Sequence, residues 1–183
     1  MITLNSITHT YPGENEAALR DVSLTLGDST ITALFGPNGS GKTTLMQILS
    51  GLLPASSGSV SINGTGMRPN DLLAYSVMVS SDRDFDNSSA GALVAYASLR
   101  PTWDQKLFDR YARRFGFQMK RRKKVRKMSS GQAAILAGAV ALASGAPITV
   151  LDEIQAPLDV PTRYAFYEEL LTLAADAMEG RRP

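Results

Sequence analysis

The stretch FGPNGSGKTTL, residues 35–45, decides the fold of this 183-residue chain. An apolar run of strand length, ITALF at residues 31–35, precedes it, and apolar residues at helical spacing follow it in TTLMQILSGLL. Glycine loses the most conformational freedom on folding, so a loop with three glycines needs a compensating interaction. The sequence therefore predicts a buried parallel strand, an anion-binding glycine loop and a helix.

The loop fits the pattern G-x-x-x-x-G-K-[ST] at every fixed position, from Gly36 to Thr43. Its glycines allow backbone amides to converge on an anion, and the dipole of the following helix favours negative charge at the same place. We expect Lys42 to reach the outer phosphates of a nucleotide and the Thr43 hydroxyl to coordinate magnesium. An accidental glycine turn is the weaker interpretation, because strand and helix patterns flank the loop.

Alternating apolar and polar residues predict antiparallel strands in ITLNSITHTY and ALRDVSLTL, and AYSVMVS at residues 74–80 predicts a second core strand. Strands that alternate with helices indicate an α/β fold with a largely parallel core sheet and a small antiparallel edge. We expect one domain over residues 1–183, with a core of residues 1–87 and 128–183. A polar, helical pattern predicts an inserted lobe over about residues 88–127.

The composition excludes some classes of site. The chain has no cysteine, so disulfides and thiolate metal sites are absent, and its net charge of +2 does not by itself indicate a nucleic-acid or membrane partner. Residues 133–151 carry no charge over almost a bilayer-spanning length. SGAP at residues 144–147 interrupts them, which predicts a buried alanine-rich helix, a turn and a central strand.

Two carboxylates, Asp152 and Glu153, follow the apolar run ITVL at residues 148–151. They fall at the carboxyl end of a predicted strand, the edge where open α/β sheets bind ligands. Asp152 is suited to hold magnesium, and Glu153 to orient or deprotonate an attacking water. A solvated acidic pair with no chemical role is the alternative.

Further motifs resemble those of one family, the ATP-binding subunits of ABC transporters. MSSGQ at residues 128–132 resembles the family's signature sequence, ITVLDE its Walker B strand, and APLD at residues 156–159 the loop that follows. Tyr11 stands where the family has an aromatic that stacks on adenine. The segment 101–117, PTWDQKLFDRYARRFGF, is most similar to ATPases of ABC-2 type exporters.

The resemblance implies an ATPase that uses ATP and Mg²⁺, dimerises on binding ATP and powers a membrane permease from the cytoplasmic face. It implies Glu153 and Lys42 as catalytic residues, and Thr43, Asp152 and Ser81 as magnesium ligands. The implied nucleotide contacts are Tyr11, Gly36, Pro37, Asn38, Gly39, Ser40, Gly41, Lys42, Thr43 and Thr44, with Ser129, Ser130, Gly131 and Gln132 acting on the partner's nucleotide. Asp159 is expected near the shared interface of the two ATPase domains.

Each weaker motif also has a structural explanation. Ser129 can be a helix N-cap and nothing more, and Tyr11, before Pro12 and Gly13, can be a strand-end aromatic. His9, the only histidine, is expected on an exposed strand without a chemical role.

The sequence departs from the family pattern in places that bear on turnover. Ser81 stands where the family has glutamine, and Ser130 where glycine is usual. The family's switch histidine belongs to a strand beyond the final EGRRP, so we expect a chain truncated relative to the family. A hydrolysis-impaired ATP-binding module is therefore the main alternative function, and a soluble ABC ATPase acting on nucleic acid or ribosomes is a weaker one.

Residues 113–127, RRFGFQMKRRKKVRK, contain nine basic residues and no acidic one. A solvated, self-repelling loop is the simplest interpretation of this run. Contact with anionic lipid headgroups is a second. Nucleic-acid binding is the third and least favoured, because no aromatic residue interrupts KRRKKVRK.

Overall fold

The computed structural model describes residues 1–80, 88–118 and 120–180 of the chain. It divides into two compact units, the first formed by Met1–Ser76 with Tyr167–Pro183 and the second by Val77–Phe166. The elements are, in chain order, β1 (Ile2–His9), β2 (Leu19–Leu26), α1 (Lys42–Leu49), β3 (Ser57–Ile62), β4 (Thr65–Met67), α2 (Pro69–Tyr75), β5 (Ser76–Ser80), α3 (Ala90–Ala97), α4 (Gln105–Arg114), α5 (Ser130–Ala143), β6 (Ile148–Asp152) and α6 (Val160–Met178).

The first unit contains a four-stranded antiparallel sheet in the order β2-β1-β3-β4. Alternation of apolar and polar residues predicts β1 and β2 as antiparallel strands, and the structure confirms both and pairs them with each other. The alternation shifts at Ser6, a non-glycine residue at φ 49°, where the register between Leu4 and Ile7 is irregular. Gly58 on β3 makes room for this bulge, since a Cβ there would lie 2.4 Å from the Ser6 carbonyl oxygen.

The expectation that His9 is exposed is wrong, and the bulge explains why. The side chain is 5% exposed, whereas the sequence pattern predicts an exposed position. Beyond the register shift, Ile7 and His9 are buried together with Leu4, so simple alternation counted from Ile2 assigns them to the wrong face. The His9 ring meets the Tyr11 ring edge-on at 4.7 Å.

The expected buried strand at residues 31–35 is wrong. No strand is assigned to these residues, and Ile31, Leu34 and Phe35 are 49%, 39% and 89% exposed. A parallel strand needs a neighbouring strand for its backbone hydrogen bonds, and neither described sheet includes this run. Residues 31–35 therefore lead into the glycine loop as an apolar segment that is not part of either described sheet.

The second unit pairs β5 with β6 in a two-stranded sheet and packs α4 and α3 against α5. The small side chains of alanine and glycine allow α5 to be buried on most of its faces. The Phe166 ring packs close to Gly138, where a Cβ would lie 3.0 Å from the ring. Helix α5 ends at Ala143 and β6 begins at Ile148, which confirms the helix, turn and strand predicted for residues 133–151. In the described residues β6 pairs only with β5, so it is not the central strand that the sequence predicts. Among the described residues, no helix combines the length and apolar character needed to span a bilayer.

Candidate functional site

The glycine loop of residues 36–42 folds back on its own lysine. The Lys42 ammonium donates hydrogen bonds to the carbonyl oxygens of Gly36 at 2.9 Å and Pro37 at 2.8 Å. The Ser40 amide donates to the Pro37 carbonyl at 3.2 Å and tightens the turn. The ammonium thus lies at the mouth of an exposed loop that leads directly into α1.

The loop leaves no room for a side chain at Gly41, where a Cβ would lie 2.5 Å from the Ala18 carbonyl oxygen. A Cβ on Gly36 would lie 2.7 Å from the Ser40 hydroxyl oxygen, which belongs to an exposed side chain that can rotate away. Gly39 and Gly41 have φ values of 81° and 84°, in the left-handed region. These features fit a loop whose amides, rather than side chains, surround an anion such as a polyphosphate.

The Tyr11 side chain contacts the first turn of α1, the helix that follows the glycine loop. Its hydroxyl lies 3.0 Å from the Thr44 hydroxyl, and Thr44 is buried. The tyrosine side chain remains 37% exposed. Tyr11 and Thr44, both expected to contact nucleotide, are therefore brought beside the start of α1, with Thr43 exposed next to them.

In the second unit, β6 ends at Asp152, which is 7% exposed, and Glu153 follows it at the exposed surface. Glu153 has a φ of 54°, in the left-handed region that residues other than glycine rarely occupy. Backbone strain of this kind clusters at functional sites. The carbonyl of Glu153 accepts a hydrogen bond from the Ala156 amide at 2.9 Å, which begins the turn after the strand.

Arg163, a residue that belongs to none of the sequence motifs, holds the loop after Glu153. Its guanidinium donates to the carbonyl oxygens of Gln155 at 3.2 Å, Ala156 at 3.3 Å and Leu158 at 3.0 Å. The only sequence signal was a single basic residue in the first turn of α6. Arg163 thus fixes the path of the segment that carries the expected interface residue Asp159.

Asp159 accepts a hydrogen bond from the Thr162 amide at 2.8 Å, in the first turn of α6. Hydrogen bonds from the Thr162 side chain and then from its backbone N–H lower the pKa of the Asp159 carboxyl. The carboxylate is exposed and stabilises the N-terminus of the helix.

The signature-like residues form a capping box at the start of α5. The Ser129 hydroxyl accepts from the Gln132 amide at 3.2 Å, and the Gln132 side chain accepts from the Ser129 amide at 3.4 Å. The Lys123 ammonium also donates to the Gln132 side-chain oxygen, at 3.3 Å. Ser129, Ser130 and Gln132 are exposed.

Gly131 brings this capping box close to the loop held by Arg163. A Cβ on Gly131 would lie 3.3 Å from the Pro157 carbonyl oxygen. The structure thus groups the expected site residues in two sets, the glycine loop with Tyr11 in the first unit and the acidic pair with the signature in the second. Ser81, the third expected magnesium ligand, lies outside the described residues.

Comparisons with known proteins agree on one family. A family model described as ABC transporter matches residues 19–156. The chain is 32% identical over 180 residues to human ATP-binding cassette sub-family A member 13, covering 93% of this chain and 4% of that protein. It is 29% identical over 185 residues to the probable multidrug ABC transporter ATP-binding protein YbhF of Escherichia coli (strain K12), covering 97% of this chain and 32% of that protein.

A solved ATP-binding subunit of an ABC transporter superposes with a TM-score of 0.82 at 19% identity, covering 96% of this chain and 75% of that one. This likeness shows the fold, an α/β P-loop domain of the ABC ATPase type, as the sequence predicts. The chain spans less than a third of the two relatives described above.

Proposed function

The chain belongs to the ABC transporter family, and we propose that it is the ATP-binding and ATP-hydrolysing subunit that powers such a transporter. The glycine loop of residues 36–42 carries the proposal. Its exposed amides, two left-handed glycines and inward-folded ammonium are the features that bind a polyphosphate. In the proposal, Lys42 exchanges its two loop carbonyls for phosphate oxygens.

The nucleotide contacts follow from the same loop. Residues 36–44 surround the phosphates, and Tyr11, whose hydroxyl lies 3.0 Å from the Thr44 hydroxyl, offers its partly exposed ring to the adenine. Thr43, Asp152 and Ser81 are the proposed ligands of Mg²⁺, which neutralises phosphate charge when bound.

Glu153 is the proposed catalytic carboxylate, together with Lys42. Its exposed position at the end of β6 leaves the side chain accessible to a water molecule, which it orients and from which it accepts a proton. The left-handed backbone of Glu153 supports a functional role, because strained backbone conformations cluster at active sites.

Dimerisation completes the proposed site. Ser129, Ser130, Gly131 and Gln132 contact the nucleotide held by a second ATPase domain, and Asp159 lies near the shared interface. The exposed hydroxyls at the N-terminus of α5 support this role, since helix N-termini favour anions.

We further propose that the chain is one ATPase domain with a helical lobe over about residues 88–127. The lobe contacts an integral membrane permease, so the protein lies on the cytoplasmic face of the membrane. The resemblance of residues 101–117 to ATPases of ABC-2 type exporters supports that type, and the relative named as a probable multidrug ABC transporter ATP-binding protein fits an exporter.

Isothermal titration calorimetry with MgATP tests the loop directly. Lys42→Ala removes the ammonium, and we expect at least a tenfold loss of affinity, about 1.4 kcal/mol or more, because hydrogen bonds to charged groups contribute about 1.5–3 kcal/mol each. Lys106→Ala removes an equal charge from the exposed surface of α4 and should leave the affinity unchanged. Absence of MgATP uptake by the folded wild-type chain at millimolar concentration contradicts the proposal.

Light scattering tests the dimer. Glu153→Gln removes the proposed base and keeps the shape of the side chain, so MgATP should accumulate a dimer of this variant. Adding Ser129→Ala to Glu153→Gln should reduce that dimer without changing the affinity of the monomer for MgATP. An unchanged dimer population argues against contact of the signature with the partner's nucleotide.

One sequence feature favours the hydrolysis-impaired alternative, namely Ser81 at the position where the family has glutamine. Phosphate release measured beside MgATP affinity separates the two functions. Wild-type turnover well above that of Glu153→Gln supports the ATPase. Tight MgATP binding with turnover equal to the Glu153→Gln control supports a binding module instead.

A further inference from the structure

We infer that the basic segment, residues 120–127, is a docking surface for anionic lipid headgroups. Seven of its eight residues are lysine or arginine, and only Val125 is not. The inference goes beyond the proposed function, because it concerns direct contact with lipid and does not depend on nucleotide binding.

Charge is distributed very unevenly along the chain. Residues 81–127 contain 13 basic and five acidic residues, a net charge of +8, while the remaining 136 residues carry six basic and 12 acidic residues, a net charge of −6. The small net charge of +2 therefore conceals a strongly cationic stretch. Such asymmetry indicates a polyanionic partner.

The backbone of the basic segment is fixed to the start of α3. The Ala90 amide donates to the Lys123 carbonyl at 3.0 Å, and the Gly91 amide donates to the Arg121 carbonyl at 2.9 Å. Val125 is 3% exposed and anchors the middle of the segment. The cationic side chains thus project from a defined backbone, which lowers the entropy lost on docking.

These side chains are available to a partner. Lys120, Arg121, Arg122, Arg126 and Lys127 are all exposed, and across residues 1–80, 88–118 and 120–180 none of the five forms a salt bridge or a side-chain hydrogen bond. Closely spaced like charges repel one another, so an anionic surface that neutralises them binds with a favourable free energy.

Two exposed side chains at the end of α3 and just beyond it favour a membrane over a nucleic acid. Tyr96 and Leu99, at the end of α3 and just beyond it, are each 77% exposed. At about 1.5 Å per helical residue, they lie about 10–15 Å along the chain from Ala90, the first residue of α3, which bonds to the basic segment. Tyrosine and leucine insert at a lipid interface, whereas binding of single-stranded nucleic acid uses aromatic residues among the basic ones, and the basic segment has none.

Sedimentation with lipid vesicles tests the inference on the full chain without nucleotide. We expect the wild-type chain to bind equimolar phosphatidylcholine and phosphatidylglycerol vesicles and to remain unbound with phosphatidylcholine alone. R121Q/R122Q should lower the partition coefficient about 25-fold, since each basic residue near an anionic surface contributes about fivefold. R121K/R122K keeps both charges and should retain binding.

The matched control, K106Q/R113Q, removes two exposed charges from α4 and should have a much smaller effect. Equal losses in R121Q/R122Q and K106Q/R113Q overturn the inference, because net charge alone then accounts for binding. Equal binding of the wild-type chain to both vesicle types also overturns it.

Competition with duplex RNA separates the two polyanions. We expect anionic vesicles to bind the chain more tightly than RNA does, and Y96S/L99S to weaken vesicle binding while leaving RNA binding unchanged. Tighter RNA binding that R121Q/R122Q abolishes assigns the basic segment to nucleic acid and refutes the lipid surface. Circular dichroism establishes that each variant is folded.

Discussion

Replacing Gly41 with alanine tests whether the glycine loop packs directly against the residues that begin β2. Gly41 has a φ of 84°, and a Cβ there would lie 2.5 Å from the Ala18 carbonyl oxygen and 2.7 Å from a Leu19 methyl carbon. Gly39 supplies a matched control, since it has a φ of 81° and its Cβ would meet no described atom within 4 Å.

Gly39→Ala and Gly41→Ala both introduce backbone strain, and Gly41→Ala also introduces a steric clash. An alanine in the left-handed region costs about 1–2 kcal/mol, and this strain applies at both positions. At Gly41 the new methyl group also displaces a backbone oxygen, which cannot rotate away as a side chain can. Such overpacking costs about 1–3 kcal/mol more, so we expect Gly41→Ala to lose about 2–5 kcal/mol of unfolding free energy.

Thermal unfolding followed by circular dichroism measures the difference. For chains of this size, about 1 kcal/mol shifts the Tm by about 2–4 °C, so Gly39→Ala should lower the Tm by roughly 2–8 °C and Gly41→Ala by roughly 4–20 °C. Equal shifts for the two variants refute the close approach between Gly41 and Ala18. An unchanged Tm in Gly39→Ala refutes the left-handed geometry of the loop itself.

Three further predictions concern single contacts. Tyr11→Phe removes the hydroxyl 3.0 Å from Thr44 and keeps the ring, so it should cost about 1 kcal/mol in urea unfolding while MgATP affinity stays unchanged; Tyr11→Ala should lower that affinity. Because hydrogen bonds lower its pKa below 3.8, Asp159 contributes stability above that pH and loses it as pH falls through the folded pKa; Asp159→Asn should retain the cap and reduce the acid-dependent loss of Tm. Arg163→Met removes three charged hydrogen bonds to carbonyls, two of them part-buried, and should cost at least about 2 kcal/mol, with Arg163→Lys losing less. Equal Tm values for wild type and Arg163→Met contradict the role of this contact.

Local patterns in the sequence predict the elements that local forces determine. The spacing of apolar residues predicts α1, and the break at residues 144–147 separates α5 from β6. A helix N-cap is one of the two interpretations of Ser129 in the sequence, and in the structure its hydroxyl accepts a hydrogen bond from the Gln132 amide. Each of these features depends on residues within about one or two turns of chain.

Residues 31–35 show what a local pattern leaves open. Their apolar composition is that of a buried strand, but a strand forms only with a hydrogen-bonded neighbour, and the pattern does not specify one. His9 shows the same limit in the opposite direction. The bulge at Ser6, accommodated by Gly58 on a different strand, reverses the side on which the later residues of β1 lie.

The position of Glu153, the candidate catalytic carboxylate, follows from the local sequence, whereas its backbone conformation depends on tertiary contacts. The sequence predicts Asp152 and Glu153 at a strand end, but a left-handed backbone at Glu153 is not a preference of glutamate. Contacts elsewhere in the second unit must stabilise it, and the structure supplies them through the burial of Ile154, which is 1% exposed, and the three carbonyls held by Arg163. Since strained positions persist only where their surroundings determine them, the geometry at Glu153 depends on the loop that Arg163, ten residues later, holds in place, as well as on the strand before it.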